Sequence, residues 1–156
     1  MTQPIPLPAE EILAFELGGQ RCAIRAAGVQ RVLRAVAVLP LPGAPPIVSG
    51  IVNVQGTIVP VLDIRQKLGL PPRPLRHTDR LVLISQSERL LAIPVDRVAG
   101  LERVAARDME PSPGSLSSRH VSGVAKLAGG LALIYDLMTF LTPEESSALF
   151  GLLEER

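Results

Sequence analysis

Asp63 and Asp136 are the residues best suited by type to do chemistry. Each ends an apolar run, "TIVPVL" before Asp63 and "GLALIY" before Asp136. Two carboxylates brought together could share general acid–base work. Their setting assigns them another task. Each follows a strand-like run and precedes a short helical turn, "IRQKL" after Asp63, where a carboxylate accepts hydrogen bonds from free backbone N–H groups. Thr142 heads a third such place. With Pro143 next and Glu145 three residues on, it spells a capping box. His77 and His120 are the two histidines, and both fall in polar loop segments where a solvent-facing ring is expected. Neither has partners at a spacing that makes a nucleophile pair or a metal site. Cys22 is the one cysteine, which excludes a disulfide within the chain and a multi-cysteine zinc site. Its apolar setting predicts a small core residue in a reducing compartment. Gly50 and Gly56 lie inside a strand pair, not before a long helix, so they form no dinucleotide fingerprint. "LAGGLAL" reads as a hairpin turn. These glycines provide positive φ or room for another backbone. The sequence predicts no catalytic residue, no metal and no cofactor.

The composition narrows the function further. The chain has 156 residues, with 16 Lys plus Arg against 15 Asp plus Glu, for a net charge of +1. That balance gives no footprint for nucleic acid. Tryptophan is absent, and one tyrosine and three phenylalanines offer no stacking platform. The N-terminus lacks a basic region followed by a long apolar run, so no signal peptide is expected there. The apolar runs are too short to span a membrane. Mean hydropathy is nonetheless +0.31. Many short strands buried on both faces account for that, as does an apolar patch meant for a partner.

The elements that hold these residues repeat. Gly50, Gly56, Asp63 and Leu68 match Gly123, Gly129, Asp136 and Leu141, all 73 residues on. Ala23, Ile24 and Val29 match Ala92, Ile93 and Val98, all 69 residues on. The difference falls in the loops between. Each unit reads as a hairpin, a crossing segment, a loop, a second hairpin and a capped turn. Gly18-Gly19 and the polar stretch from Gln86 to Glu88 mark first hairpins. "LPPRPLRHT" connects the halves, and "MEPSPGSLSSRHVSG" is a second Pro/Ser/Gly loop. The predicted organisation is an arm over 1–9, a double-barrel domain over 10–142 divided into 10–75 and 76–142, and a helix over 143–156. About five strands per unit predict two small barrels side by side. Arg97, Glu102 and Arg103 fit a solvated face or a polar rim around a docking patch. Leu149, Phe150, Leu152 and Leu153 give the final helix an apolar stripe toward a barrel.

"GIVNVQGTIVPVLDIR" resembles the signature of the CheW family of chemotaxis adaptors, roughly G-V-x-N-L-R-G-x-V-V-P-V-x-D-L-R. "FELGGQRCAI", "GAPPIVSG", "AIPVDRVAGL" and "VSGVAKLAGGLALIYDL" resemble the family's other blocks, in the same order. The resemblance covers about residues 12 to 142. It implies a mainly β fold of two five-stranded SH3-like barrels with short helical turns and a C-terminal helix. It also implies a non-enzymatic cytoplasmic scaffold, associated with membrane receptor arrays. Its partners would be the regulatory domain of a CheA-type histidine kinase and the cytoplasmic tip of a methyl-accepting chemoreceptor. No direct membrane insertion is implied. The receptor would dock in the groove between barrels, a helix-in-groove contact. Val29, Arg31, Gly50, Asn53, Gln55 and Gly56 would lie on or near that surface. The chain departs from the family twice. Arg31 stands where the family usually has an acid, and Gln55 where it usually has arginine. Arg31 can still donate a hydrogen bond to the Gln55 amide oxygen. The departures leave open an adaptor of a divergent pathway, controlling pili, surface behaviour or a second messenger. A small-ligand-binding β domain is a more remote reading.

Overall fold

In the computed structural model, residues 9–111 and 119–154 are described; the predicted arm, apart from Ala9, and most of the second Pro/Ser/Gly loop lie outside them. Eleven strands alternate with short 3-10 turns and end in one α-helix. β1 (Ala9–Leu17), β2 (Gln20–Arg25), β8 (Arg97–Ala105), β9 (Met109–Pro111), β10 (Val121–Leu127) and β11 (Gly130–Tyr135) form one sheet in the order β8-β1-β2-β11-β10-β9. β3 (Val29–Arg34), β4 (Val48–Val54), β5 (Thr57–Leu62), β6 (Arg80–Gln86) and β7 (Arg89–Val95) form the other, in the order β3-β6-β7-β5-β4.

This order corrects the division at residue 75. The first hairpin of one repeat pairs with the second hairpin of the other. β2 lies parallel to β11, and β7 lies parallel to β5. The crossing strands are exchanged as well, with β3 on β6 and β8 on β1. Each sheet is therefore built from both repeats. Neither half of the chain holds a complete sheet, so neither can satisfy its own strand edges. The first sheet also carries a sixth strand, β9, three residues long.

Strand alternation distributes the core. Ile12 packs with Ala23, Val104, Ala125, Ala132 and Ile134 inside the first sheet. Leu13, Phe15 and Leu17 point the other way, into a cluster shared with Val82, Ile84 and Ile93 of the second sheet. Leu81, Leu83 and Ala92 fill the interior of the second, with Val52, Val59 and Val61. β1 and β6 are thus buried on both faces. Their near-continuous apolar runs, "ILAF" and "LVLI", follow from that burial.

The final helix, α1 (Pro143–Glu154), seats Leu149 fully in the inter-sheet cluster, with Phe150 and Leu153 against it. The Thr142 hydroxyl accepts the Glu145 N–H at 3.1 Å, and the Glu145 carboxylate accepts the Thr142 N–H at 3.0 Å. The same carboxylate takes an ion pair from Lys67, whose ammonium also donates to the Phe140 carbonyl at 2.6 Å. The capped turn of the first repeat thereby holds the helix that follows the second.

His120 is buried, contrary to its expected place on the surface. It is 7% exposed, and its ring stacks on Phe140 with centroids 4.5 Å apart. Its Nδ1 lies 2.8 Å from the Thr139 hydroxyl. The segment's polar composition hides this, because the aromatic partner comes from twenty residues away. Burial, then the cations of Arg119 and Lys67, push the His120 pKa down.

Candidate functional site

The carboxylates described first are occupied with backbone. Asp63 accepts the Arg65 N–H at 3.1 Å, and Asp136 accepts the Met138 N–H at 3.0 Å. Cys22 is buried in the inter-sheet cluster, and burial pushes its thiol up to about 12. A thiol held protonated in this way is a poor nucleophile. Among the described residues no three His, Cys, Asp or Glu side chains gather to hold a metal ion. None of the described helices is long and apolar enough to cross a membrane.

The six residues of the predicted docking surface separate into two levels. Arg31, Asn53, Gln55 and Gly56 are exposed and meet where β3 passes the β4–β5 turn. A bulge at Gln30 shifts the register of β3 on β6 just before Arg31. The Arg31 guanidinium then donates to the Gln55 amide oxygen at 3.4 Å. The turn itself is built by Asn53, whose side-chain oxygen accepts the Gly56 N–H at 2.8 Å. Gln55 at φ 50° and Gly56 at φ 88° make the two-residue turn that matches strand twist.

Val29 and Gly50 lie beneath this rim. Val29 is half-buried against the inter-sheet cluster, opposite Ile84. Gly50 is buried, with the Leu39 carbonyl so near that a Cβ would lie 2.2 Å from its oxygen. Its role is the close approach of two backbones, because Leu39 bridges Ile51 along the outer edge of β4.

Beside β3 the inter-sheet cluster opens to solvent. A groove of about 410 Å3 is lined from both sheets, by Ile24, Gly28, Ile84, Ser87, Tyr135 and Met138. Met138 at its rim is 61% exposed.

A polar node fixes how the sheets meet. Asp96, between β7 and β8, accepts the Gly18 N–H of the β1–β2 turn at 2.9 Å. It also takes ion pairs from Arg65 and Arg73. Arg73 holds Asp79 bidentately, both contacts at 2.8 Å. Burial works to raise the Asp96 pKa, but the Gly18 N–H and the two guanidiniums outweigh it and hold the carboxyl low.

Sequence reasoning missed two apolar pairs. Val32 and Leu101 are 37% and 59% exposed, and Ile58 and Leu131 are 47% and 65% exposed. Val32 and Leu101 are 69 residues apart, and Ile58 and Leu131 are 73 apart, the offsets of the repeat. Each sheet thus presents an exposed apolar pair at equivalent positions. The signal was available, as large apolar residues at both copies of an outward strand position.

The family model for the CheW-like domain matches residues 11–145, which takes in both sheets and the start of the final helix. The chain belongs to the CheW-like domain family. Its CheW-like relatives include the chemotaxis protein CheW of Rhizobium meliloti, 27% identical over 143 residues, covering 88% of this chain and 91% of that protein. The protein FrzA of Myxococcus xanthus is 29% identical over 135 residues, covering 85% and 84%. The crystal structure of the scaffolding protein TtCheW from Thermoanaerobacter tengcongensis superposes with a TM-score of 0.80 at 22% identity, covering 88% of this chain and 96% of that one. That likeness shows the CheW-like double-barrel fold. Within it, the exchanged hairpins and the paired glycines Gly50 and Gly123 are the architecture, and the Arg31–Gln55 rim, the open groove and the apolar pairs are the surface.

Proposed function

We propose that this chain is a non-enzymatic adaptor of chemosensory signalling, coupling a chemoreceptor to a CheA-type histidine kinase in the cytoplasm, at membrane receptor arrays. The observation that carries the reading is the CheW-like match across both sheets, residues 11–145. The surface supports it. A groove open between two barrels suits a helical receptor tip. The apolar pairs Val32/Ile58 and Leu101/Leu131 suit two separate protein contacts, since scattered polar residues would serve a monomer better. The carboxylates, thiol and buried histidine are all engaged in the fold, which fits a protein that works by contact.

A second reading places the adaptor in a divergent pathway with altered receptor specificity. The Arg31–Gln55 contact favours it, because the usual acid and base are replaced together. Similarity to FrzA is in keeping with such variants. Affinity capture of the tagged chain from its native cell tests both readings. Recovery of a histidine kinase with a chemoreceptor supports the adaptor, and the receptor recovered names the pathway. Recovery of neither, from cells that express both, contradicts it.

A further inference from the structure

The net charge of +1 conceals a segregation. Between Val29 and Val95, the span of β3 to β7, the chain carries eight Lys/Arg against three Asp/Glu. The segments that build the other sheet, 9–28 and 97–142, carry seven of each. The excess is concentrated along β3. Arg34 stands directly opposite Arg80 on β6, a like-charge pair that disfavours the sheet by itself. Arg80 turns its guanidinium to the carbonyls of Thr78 and Asp79. Arg31 has a neutral amide as its partner. Among the described residues, Arg31, Arg34 and Arg76 make no ion pair.

β3 is an edge strand, flanked by β6 alone. Charge on an edge deters strand addition, and one arginine in a balanced surface suffices for that. An uncompensated row of one sign goes further. It lies beside exposed Val32 and Val36, and it is continuous with the inter-sheet groove, since Gly28 lines that groove and Val29 begins the strand.

We propose that the β3 edge recognises an acidic helical segment of the receptor tip, with Arg31 and Arg34 as the residues that set receptor specificity. The inference rests on the adaptor reading above. Arg31 and Arg34 lie about 10 Å apart along an extended strand, close to two turns of a helix, about 11 Å. Two carboxylates two turns apart on one helix, with apolar residues between them for Val32, would complement the edge.

The test uses the full chain, cytoplasmic fragments of the chemoreceptors from its native cell, and the regulatory domain of the kinase as a control. Arg31→Glu with Arg34→Glu should weaken receptor binding by at least about tenfold and leave kinase-domain binding unchanged. Wild-type receptor affinity should fall as salt rises from about 50 to about 500 mM. The milder Arg34→Gln should give an intermediate loss with an unchanged circular dichroism spectrum. Receptor affinity that is indifferent to both variants and to salt, in a protein that still binds receptor and kinase domain, overturns the inference and leaves the adaptor reading standing. Arginine-dependent binding to phosphatidylserine vesicles, with receptor affinity unchanged, assigns the edge to a lipid surface and also overturns it. A wild-type chain that binds neither receptor nor kinase domain overturns the adaptor reading itself.

Discussion

Gly50 and Gly123 occupy equivalent places in the two sheets, and each admits a carbonyl where any other residue would carry its Cβ. At Gly50 the intruder is the Leu39 oxygen, 2.2 Å from the Cβ position, and at Gly123 it is the Glu110 oxygen, 2.5 Å away. Both sit at register shifts, between Val48 and Gly50 on β4 and between Val121 and Gly123 on β10. The bulge and the missing side chain together let an outer segment pair with the strand.

Gly50→Ala and Gly123→Ala should therefore each cost about 2–4 kcal/mol, since backbone must move. Gly56→Ala should cost about 1 kcal/mol, because its φ of 88° is strained for alanine but its surroundings are open. Urea unfolding of the three variants checks the order. Equal losses at Gly50 and Gly56 would show that conformation alone, and not the neighbouring carbonyl, requires glycine.

Asp96→Asn should leave two buried or half-buried guanidiniums short of a charge and destabilise by about 2–3 kcal/mol. It should also change the acid limb of the stability profile. Asp79, Asp96 and Glu145 all have pKa values below their ordinary ones. Their stabilisation is complete above the ordinary carboxylate range and is lost as pH falls through the lower folded values. Denaturant midpoints measured below about pH 4 should fall steeply in wild type and less steeply in Asp96→Asn.

His120 makes a separate contribution at milder pH. Its folded pKa lies below the ordinary 6.5. The unfolded chain therefore binds the proton first, and stability declines as pH drops from 6.5 toward the folded value. His120→Phe keeps an aromatic ring against Phe140 and removes the titration. Unfolding midpoints between about pH 7.5 and about pH 5.5 should slope downward in wild type and lie flatter in the variant. Parallel profiles would contradict the assignment.

The apolar pairs predict a separation of stability from binding. Leu101→Asp and Leu131→Asp alter exposed side chains and should change stability by about 0.5 kcal/mol or less. Each should weaken one protein contact by about tenfold or more if the pair is a contact centre. Calorimetric titration against the kinase regulatory domain, with thermal unfolding alongside, reads both quantities.

Much of this fold is legible in the chain. The offsets of 69 and 73 reveal the repeat, and "NVQG" reveals a hairpin whose turn Asn53 closes. The capping at Asp63, Asp136 and Thr142 follows from residue type beside a free helix start. The exchange of hairpins is not legible. A repeat records which segments are alike, and the pairing of β2 with β11 and of β7 with β5 depends on inter-sheet packing among residues tens of positions apart. The same holds for His120, which local polarity places outside and Phe140 draws in. At the site, Arg31 and Gln55 were recognisable as departures from a family pattern. Gly50 needed the structure, because nothing in "IVSGIVNV" announces that Leu39 lies against it.

The central claim is that this chain physically couples receptor and kinase. Receptor-containing membranes are mixed with a CheA-type kinase, with and without the chain, and sedimented. The account predicts that kinase enters the pellet, and that its autophosphorylation rate becomes receptor-dependent, only when the chain is present. Kinase distribution and activity that are the same with and without a folded chain would contradict it.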